Sequence, residues 1–481
     1  MLDLLWAFPL VCVVLLIVSG RTDPAVAGLV GLGLTVAISI LAGPASFAPV
    51  MAAVAIGHGL WLSAMVGLVI LGGLFFRDCI GASQATALEV PVADCSRSLF
   101  SACFLTGPFS ECLAGFGLGQ LTAAAELKKL KLPPRAAVVF GLFSQVLTPW
   151  GAMGNPTVVG AVLSGLTARD LGTRTALIIM PLMLSWLAVY WLVSASFGMP
   201  KTLRLAVGEA AWVVAIGACL YLSNRTFGPD LAGITALAPL IVARAILDHR
   251  SCSMALAPRV RGILPYLLLM APLVLGRLHP GIRDYLEAGV AVQPFADIPP
   301  FHLLTHPGFW LLLVGTITLL LRGRGATLVA ASYRSIRLGS KAITILAIFF
   351  SIAQVMSASG MALAIARDLG GLLGPAAVFA VPLFAGTMGL MIGSGNASNG
   401  LLMPSAVFLA AESGSDRGWI ATAQNVAACG FAMISLARVS IGCALVGNGV
   451  RAEDAYRKAW PLGALALVAA SAICGFSLLA R

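Results

Sequence analysis

Long apolar runs separated by short polar loops dominate the chain. Crossing a bilayer takes about 20 predominantly apolar residues, and about twelve runs qualify. They cover 4–20, 25–43, 58–76, 136–166, 175–197, 203–222, 229–247, 262–276, 303–321, 341–365, 419–447 and 459–480. Glycine, proline and polar residues interrupt two further apolar stretches, 98–126 and 371–412, and we expect each of these to form a re-entrant hairpin. The pattern predicts an all-α polytopic membrane protein with a single transmembrane domain over 1–481.

Composition and charge agree with this topology. Of the 481 residues, 59% are hydrophobic and 10% are charged, against about 25% charged in soluble domains. Of the 30 basic residues, 21 fall on one predicted side of the membrane and 8 on the other. Because basic loops stay inside the cell, we expect both termini outside. This composition excludes a soluble enzyme and a nucleic-acid-binding module, so the net charge of +11 reflects membrane orientation.

The two halves of the chain resemble each other. The segment 163–170 is similar to 445–454, at an offset of 282 to 284 residues. The predicted repeats are 58–200, with hairpin 98–126 and a broken helix over 136–166, and 341–480, with hairpin 371–412 and a helix over 419–447. The two long helices run in opposite directions in the predicted topology, so the repeats are inverted, and inverted repeats with broken helices are typical of transporters. Chance similarity between glycine-rich apolar helices is the alternative.

The first hairpin holds an acidic residue among glycines, since Glu111 is followed by Gly115 and Gly117. An ionisable side chain in an apolar stretch is costly and usually functional, so Glu111 is predicted to carry a coupled proton. The alternative is a structural hydrogen bond at the hairpin turn. Gly115 and Gly117 are predicted at points where the backbone bends or touches substrate.

The apolar run over 136–166 contains a helix start in its interior. Asn155 is an N-cap acceptor, and the following Pro156 suits the first helical position. A half-helix that begins there presents free N–H groups and a positive dipole end, which suit a carboxylate. Gly154, Asn155 and Thr157 are therefore predicted to bind substrate, with a plain proline kink as the alternative.

Small and polar residues fill the tip of the second hairpin from Gly393 to Gly400. Such a run cannot face lipid, because its backbone groups would go unsatisfied. It suits a tip that lines a wet cavity, or else helix packing through small residues. The side chains predicted to bind substrate here are Ser394, Asn396, Ser398 and Asn399.

Arg438 is the basic residue that the predicted topology places deep inside a helix. It can clamp a substrate carboxylate bidentately or pair with Glu111. The third interpretation is an arginine that snorkels from a misplaced helix end.

Several stretches resemble, in order, characteristic segments of the lactate permease family of bacterial secondary transporters. They are Glu111 to Gly117, Trp150 to Pro156, Met356 to Met361 and Gly393 to Asn399, followed by Ser435 and the run from Gly447 to Lys458. The resemblance implies symport of lactate or glycolate with protons across the bacterial inner membrane, with Ser435 at the substrate site. Arg438 departs from the family, which has a Pro-Gln-Ser-like step after the serine, so the identity of the acid stays open.

The predicted function is a multi-pass secondary transporter of small 2-hydroxy monocarboxylates. Its predicted partners are the carboxylate, protons and membrane lipid, with no nucleic acid, and the oligomeric state is left open. The sequence has no Walker lysine motif, nucleophile elbow or metal-ligand spacing, so we expect no enzyme, no cofactor and no metal site. The rivals are a transporter of another organic anion with sodium coupling, a membrane-embedded enzyme and a channel.

Overall fold

A computed structural model describes residues 2–19, 21–44, 46–80, 95–115, 117–130, 132–249, 257–296, 298, 300–446 and 450–479. The α-helices are α1 (Leu2–Val18), α2 (Pro24–Ala42), α3 (Pro49–Ile80), α4 (Cys95–Ser101), α5 (Gly107–Ala114), α6 (Leu118–Lys129), α7 (Pro134–Phe143), α8 (Gly151–Ser164), α9 (Ala168–Ser196), α10 (Leu203–Phe227), α11 (Pro229–His249), α12 (Ala257–Leu278), α13 (Pro280–Glu287), α14 (Pro307–Leu321), α15 (Leu328–Ala358), α16 (Met361–Leu373), α17 (Ala380–Ile392), α18 (Gly395–Glu412), α19 (Arg417–Ala432), α20 (Leu436–Val446) and α21 (Ala452–Leu479). A π-helical turn covers Ala102–Thr106, and 3₁₀ turns cover Thr148–Trp150, Leu303–Thr305, Gly325–Thr327 and Gly374–Phe379. Between α13 and α14, β1 (Ala291–Val292) pairs antiparallel with β2 (Phe301–His302).

Most of the described helices are built to cross a membrane. Nine helical stretches, some of which join consecutive helices, are long and apolar enough to cross a membrane. The number is ten if the bent pair Pro134–Phe143 and Thr148–Ser164 counts as one span. Shorter apolar helices cover Leu5–Ile17, Leu264–Leu278 and Pro307–Leu321. Large apolar side chains on these helices point outward, as with Leu192 at 72% exposure, which fits a surface that meets lipid. The chain is a multi-pass membrane protein, but the predicted number of twelve crossings is not confirmed.

The structure divides two of the runs that we expected to form single helices. The run 341–365 is interrupted where α15 gives way to α16 at Gly360, whose φ of 78° ends one helix before the next begins. The run 419–447 is covered by two helices, α19 and α20, which are separated around Ser435. The two helices together still form one candidate membrane span, Arg417–Val446, but the helix is not continuous, and Arg438 lies in the first turn of its second part.

The two interrupted stretches fold as successive short helices. The stretch 98–126 is covered by α4, the π-helical turn, α5 and α6, and the stretch 371–412 by the 3₁₀ turn, α17 and α18. Their re-entry from one side of the membrane stays a prediction, as do the two inverted repeats. In the segment pair that suggested the repeats, residues 447–449 lie outside the described residues.

Close helix packing surrounds these interrupted segments. A Cβ on Gly59 of α3 would lie 2.5 Å from the Ser351 nitrogen of α15, so the two backbones touch. Gly389 of α17 likewise lies against the Ala428 carbonyl of α19. Small residues let membrane helices approach in this way. The residues of α5 are all buried, as are nearly all those around the start of α8 and of α18, so the helix breaks lie in the interior of the bundle.

Candidate functional site

The turn between α5 and α6 is a backbone bend that only glycines allow comfortably. Gly115 and Gly117 have φ values of 68° and 83°, in the left-handed region that penalises a Cβ. A Cβ on Gly115 would also lie 2.7 Å from the Ala152 Cβ of α8. The hairpin turn therefore touches the irregular start of α8.

Glu111 lies one turn before this bend and is 1% exposed. Its Oε1 accepts a hydrogen bond from Arg438 Nη2 at 2.9 Å and a longer one from Gly117 N at 3.5 Å. Its Oε2 accepts from Gly119 N at 3.1 Å and from Gln145 Nε2 at 3.3 Å. Backbone and side-chain donors thus surround a buried carboxylate with charge-assisted hydrogen bonds.

Arg438 reaches Glu111 from the opposite half of the chain. Its guanidinium is positioned by the first turn of α20, where the Ser435 hydroxyl accepts from the Arg438 backbone nitrogen at 3.3 Å. Gln120 Nε2 donates to the Arg438 carbonyl at 2.9 Å and ties α6 to the same turn. Of the three interpretations of Arg438, the structure shows the ion pair with Glu111. The second guanidinium nitrogen, Nη1, is buried and has no hydrogen-bond partner among the described residues.

The start of α8 is the second irregular point. Ala152, Met153 and Gly154 have left-handed backbone angles, with φ of 48°, 54° and 70°, so the regular helix begins only after them. The helical axis turns by 61° between Pro134–Phe143 and Thr148–Ser164. A Cβ on Gly154 would lie 2.5 Å from the Pro229 carbonyl carbon of α11. The apolar run therefore consists of two helical pieces, and the bend between them includes three residues with left-handed backbone angles.

Asn155 does not take the N-cap role that the sequence suggested for it. Its Nδ2 donates to the Val66 carbonyl of α3 at 3.4 Å. The left-handed residues before it change the entry of the chain into the helix, so the side chain meets a neighbouring helix instead of its own first turn.

The α17–α18 turn forms the third irregular point. Gly393 has a φ of 72°, and a Cβ there would lie 2.8 Å from Ser435 Oγ. Ser394 caps α18 by accepting from the Ala397 nitrogen at 3.3 Å. The Ser398 hydroxyl donates to the Ala385 carbonyl at 2.9 Å, which fastens α18 to α17 and uses the hydroxyl inside the hairpin.

The regular start of α8 meets the start of α18. A Cβ on Gly395 would lie 3.4 Å from Pro156 Cβ, and Asn399 Nδ2 donates to the Pro156 carbonyl at 2.9 Å. Asn399 Nδ2 also donates to Asn425 Oδ1 at 2.8 Å, and Asn425 Nδ2 donates to Thr157 Oγ1 at 3.1 Å. Two positive helix ends therefore converge on a buried polar network.

Several buried polar atoms near the three helix breaks have no hydrogen-bond partner in the described part of the protein. Buried polar atoms are nearly always hydrogen-bonded, so exceptions call for an explanation. Within the described part of the chain, the buried atoms near the three breaks that have no hydrogen bond are Asn396 Oδ1, Asn399 Oδ1, Gln120 Oε1, Gln145 Oε1 and Arg438 Nη1. The set contains four amide oxygens, which are acceptors, and one charged donor.

A cavity of about 420 Å³ lies against the other face of the first hairpin. Ser110, Ala114 and Thr122 form its hairpin wall, and Arg77 and Arg334 lie on the opposite side. Asp78 pairs with both arginines, at 3.4 Å and 2.9 Å, which leaves one net positive charge at the cavity. An anion is attracted to such an opening.

The sequence analysis missed two side chains that complete the site. Gln145 binds Glu111 from the segment after α7, and Thr175 of α9 accepts from Asn425 Nδ2 at 3.1 Å. Gln145 could have been recognised as an amide inside an apolar run, whereas nothing in the sequence marks Thr175. No group of three or more His, Cys, Asp or Glu side chains within the described ranges is placed to hold a metal ion.

The comparisons with known proteins agree with a transporter. The model of the L-lactate permease family matches residues 289–474, which confirms the resemblance to that family. The match includes the second hairpin and Arg438, while Glu111 and Gly154 lie outside it. None of the curated proteins matches the chain.

Two solved structures share the fold over almost the whole chain. MtrF from Neisseria gonorrhoeae, described as illuminating a class of antimetabolite efflux pumps, has 13% identity and a TM-score of 0.50, with 94% of each chain covered. The YdaH transporter from Alcanivorax borkumensis, described as having an unusual topology, has 16% identity and a TM-score of 0.52, with 97% of this chain and 98% of that chain covered. At these identities the likeness concerns the fold. With the family match, it indicates a membrane transporter rather than an enzyme.

Proposed function

We propose that the protein is a secondary active transporter of small 2-hydroxy monocarboxylates such as lactate and glycolate, driven by proton symport across a bacterial inner membrane. The observation that carries the proposal is the buried pair of Glu111 and Arg438 at 2.9 Å, set among helix breaks in the interior of the bundle. Ionisable residues inside a membrane protein are costly and are often found along paths for ions or substrate, and the helix breaks distinguish this pair from a structural one.

The two ends of a 2-hydroxy acid match the two kinds of unpartnered atom. The carboxylate fits the converging starts of α8 and α18 and the free Nη1 of Arg438, since helix N-termini and guanidinium groups bind carboxylates. The hydroxyl is a donor, and it fits the free Oδ1 atoms of Asn396 and Asn399. Ser394, Ser435 and Thr157 hold the backbone around this position.

Glu111 is the proposed proton carrier. It is a buried carboxylate in contact with the residues that would meet the substrate, and the cavity beside its hairpin gives a route for an anion. The hairpin and broken helix of each predicted repeat would supply the two units that rock against each other in alternating access. The arginines at the cavity lie on the side that we predict to be cytoplasmic.

Uptake of labelled L-lactate into proteoliposomes tests the proposal. We expect saturable uptake driven by an inward proton gradient. Glu111→Gln should lose gradient-driven uptake by about 100-fold, the scale of removing a proton-transfer group, while it keeps lactate exchange. Glu209→Gln is the matched control, because Glu209 is a buried, paired carboxylate in another part of the bundle. Absence of saturable uptake and of counterflow in folded, reconstituted protein would exclude lactate as the substrate, and uptake without saturation would favour a channel.

Sodium-coupled transport of another organic anion is the second candidate. The same free oxygens of Asn396 and Asn399 favour it, because neutral carbonyl oxygens also bind cations. Uptake that follows an inward sodium gradient and ignores a proton gradient would select this candidate, and a panel of carboxylates would then identify the anion.

A further inference from the structure

We infer that Glu111 and the substrate carboxylate compete for Arg438, so that a proton on Glu111 releases the guanidinium to bind the substrate. The inference rests on the proposed function and concerns how its proton and its substrate are coupled. It joins two roles of Arg438 that the sequence presented as alternatives. Arg438 pairs with Glu111 in one state and with the substrate in the other.

One of the two terminal nitrogens of the Arg438 guanidinium is not used in the pair with Glu111. Nη2 donates to Glu111 at 2.9 Å, while Nη1 is buried without a partner among the described residues. A Cβ on Gly117 would lie 3.2 Å from Nη1, so the glycine keeps side-chain atoms away from that nitrogen. A carboxylate binds a guanidinium best through two parallel hydrogen bonds. A substrate that takes both nitrogens therefore has to displace Glu111.

Gln145 can serve both states of Glu111. Its Nε2 donates to the ionised carboxylate at 3.3 Å, and its Oε1 has no partner in the described part of the chain. A protonated carboxyl is a donor as well as an acceptor. A half-turn of the Gln145 amide would bring Oε1 to the carboxyl, where it would accept a hydrogen bond from the O–H group. The proton would come from water on one side of the membrane and would leave to water on the other, with no covalent bond formed or broken.

Charge balance then couples the two events. A proton on Glu111 without substrate leaves a buried arginine unpaired, and substrate without a proton places two carboxylates on one guanidinium. Both states are costly in a dry interior. Proton and substrate consequently favour each other's binding by the same factor, which suppresses proton leak in the absence of substrate.

Other charged groups on the elements around α5 are engaged elsewhere. Among the described residues, Arg438 is the charged side chain that contacts Glu111. Two uncharged ionisable residues also lie near α5, since Cys112 follows Glu111 on that helix and Tyr266 packs against Phe109. The charged groups make their own contacts: Asp78 with Arg77 and Arg334, Asp230 with Arg277, and Glu126 with Thr106. The α8 sequence contains no charged residue.

Proton uptake on substrate binding tests the competition. Purified full-length protein in nanodiscs is titrated with L-lactate and with glycolate by calorimetry, in two buffers of different protonation enthalpy. The native protein should take up about one proton per substrate bound. Glu111→Gln imitates the protonated state, so it should bind substrate with no proton uptake and with an affinity independent of pH. Glu209→Gln should take up the proton as the native protein does.

Arg438 is tested with two variants. Arg438→Gln should lose substrate binding, with folding checked by thermal unfolding. If that variant does not fold, Arg438→Lys keeps the charge but not the two-point grip, and should weaken binding by about tenfold or more. Native protein that binds lactate or glycolate without proton uptake, or with the same uptake after Glu111→Gln, would refute the competition and leave the transport proposal standing. Folded native protein that binds neither acid would overturn both.

Discussion

Two ion pairs are buried in the part of the chain that the structure describes, and they differ in how completely their atoms are bonded. Lys201 and Glu209 pair at 3.1 Å. Lys201 also bonds Tyr190 OH at 3.2 Å, and Trp191 Nε1 donates to Glu209 Oε2 at 2.7 Å. Arg438 and Glu111 pair at a similar distance, but Arg438 Nη1 has no partner in the described residues.

The backbone around the two pairs differs as well. Lys201 and Glu209 lie where the long, continuous helices α9 and α10 meet, whereas Glu111 and Arg438 lie beside helices that are broken. A satisfied pair between continuous helices fixes one structure. An incompletely bonded pair at helix breaks has a second arrangement available to it. Burial of a charge is thus common to both pairs, and we expect transport to depend on the pair that also has a free polar atom.

The largest expected effect separates the two pairs by function. Removing one partner of a buried pair costs about 3–5 kcal/mol, so Lys201→Met and Arg438→Met should lower the free energy of unfolding by similar amounts. Adding Glu209→Gln or Glu111→Gln, respectively, should restore part of it. Substrate uptake should fall by at least about 100-fold only in variants of the Arg438 pair. Equal uptake losses for both pairs, at equal folded fractions, would remove the distinction.

The next effect concerns the backbone that makes one region different. Gly154→Ala places a methyl group against the Pro229 carbonyl at a φ of 70°, so we expect a loss of about 2–3 kcal/mol in stability and loss of uptake. Gly33→Ala in α2 is the control, because a Cβ there meets nothing within 4 Å. Thermal unfolding in detergent measures both variants, and a neutral Gly154→Ala would contradict the tight contact.

A smaller effect is expected at the cavity beside the first hairpin. Arg334→Gln removes one positive charge from its wall, and we expect a decrease of about threefold in substrate capture at low salt that fades at high salt. Arg337→Gln, which changes an exposed arginine on the same helix, should have little effect. Initial transport rates at two ionic strengths, measured from the side that carries Arg334, provide the comparison.

The smallest effect concerns His306, which lies outside α14 because that helix begins at Pro307 and not at 303 as the apolar run suggested. Burial against Phe301 lowers the pKa of His306 from 6.5 to about 4. The unfolded chain therefore binds a proton between pH 6.5 and 4 that the folded chain does not, and stability falls as the pH drops through this range. We expect a loss of about 0.7 kcal/mol between pH 7 and pH 6, and His306→Asn should reduce this slope. An unchanged slope in the variant would assign the pH dependence to other groups.

The sequence predicted the membrane-spanning character and the interrupted segments because both are local properties. Apolar runs have a required length, and glycines with an acidic residue inside an apolar stretch conflict with a plain helix. The break around Ser435 contains neither glycine nor proline. At this break Ser435 lies against Gly393 at the end of α17, a contact between distant parts of the chain that a local pattern does not contain.

The role of Asn155 shows the same limit. Its pairing with Pro156 is a helix-start signal, but the left-handed residues before it turn its side chain to Val66. Partners from other helices, such as Gln145 and Thr175, likewise became part of the site only when the chain was folded.

Ala152 and Met153 have a practical consequence for handling the protein. Both hold a left-handed backbone without being glycine, and each such residue costs about 1–2 kcal/mol. Glycine at either position would relieve that cost and is an obvious choice for a more heat-resistant sample. At position 152, however, glycine also removes the methyl group next to Gly115, which loosens the hairpin turn beside Glu111. A variant stabilised by glycine at position 152 would then be altered in the region whose transport activity is to be measured. Stabilising substitutions are therefore better placed in the lipid-facing helices.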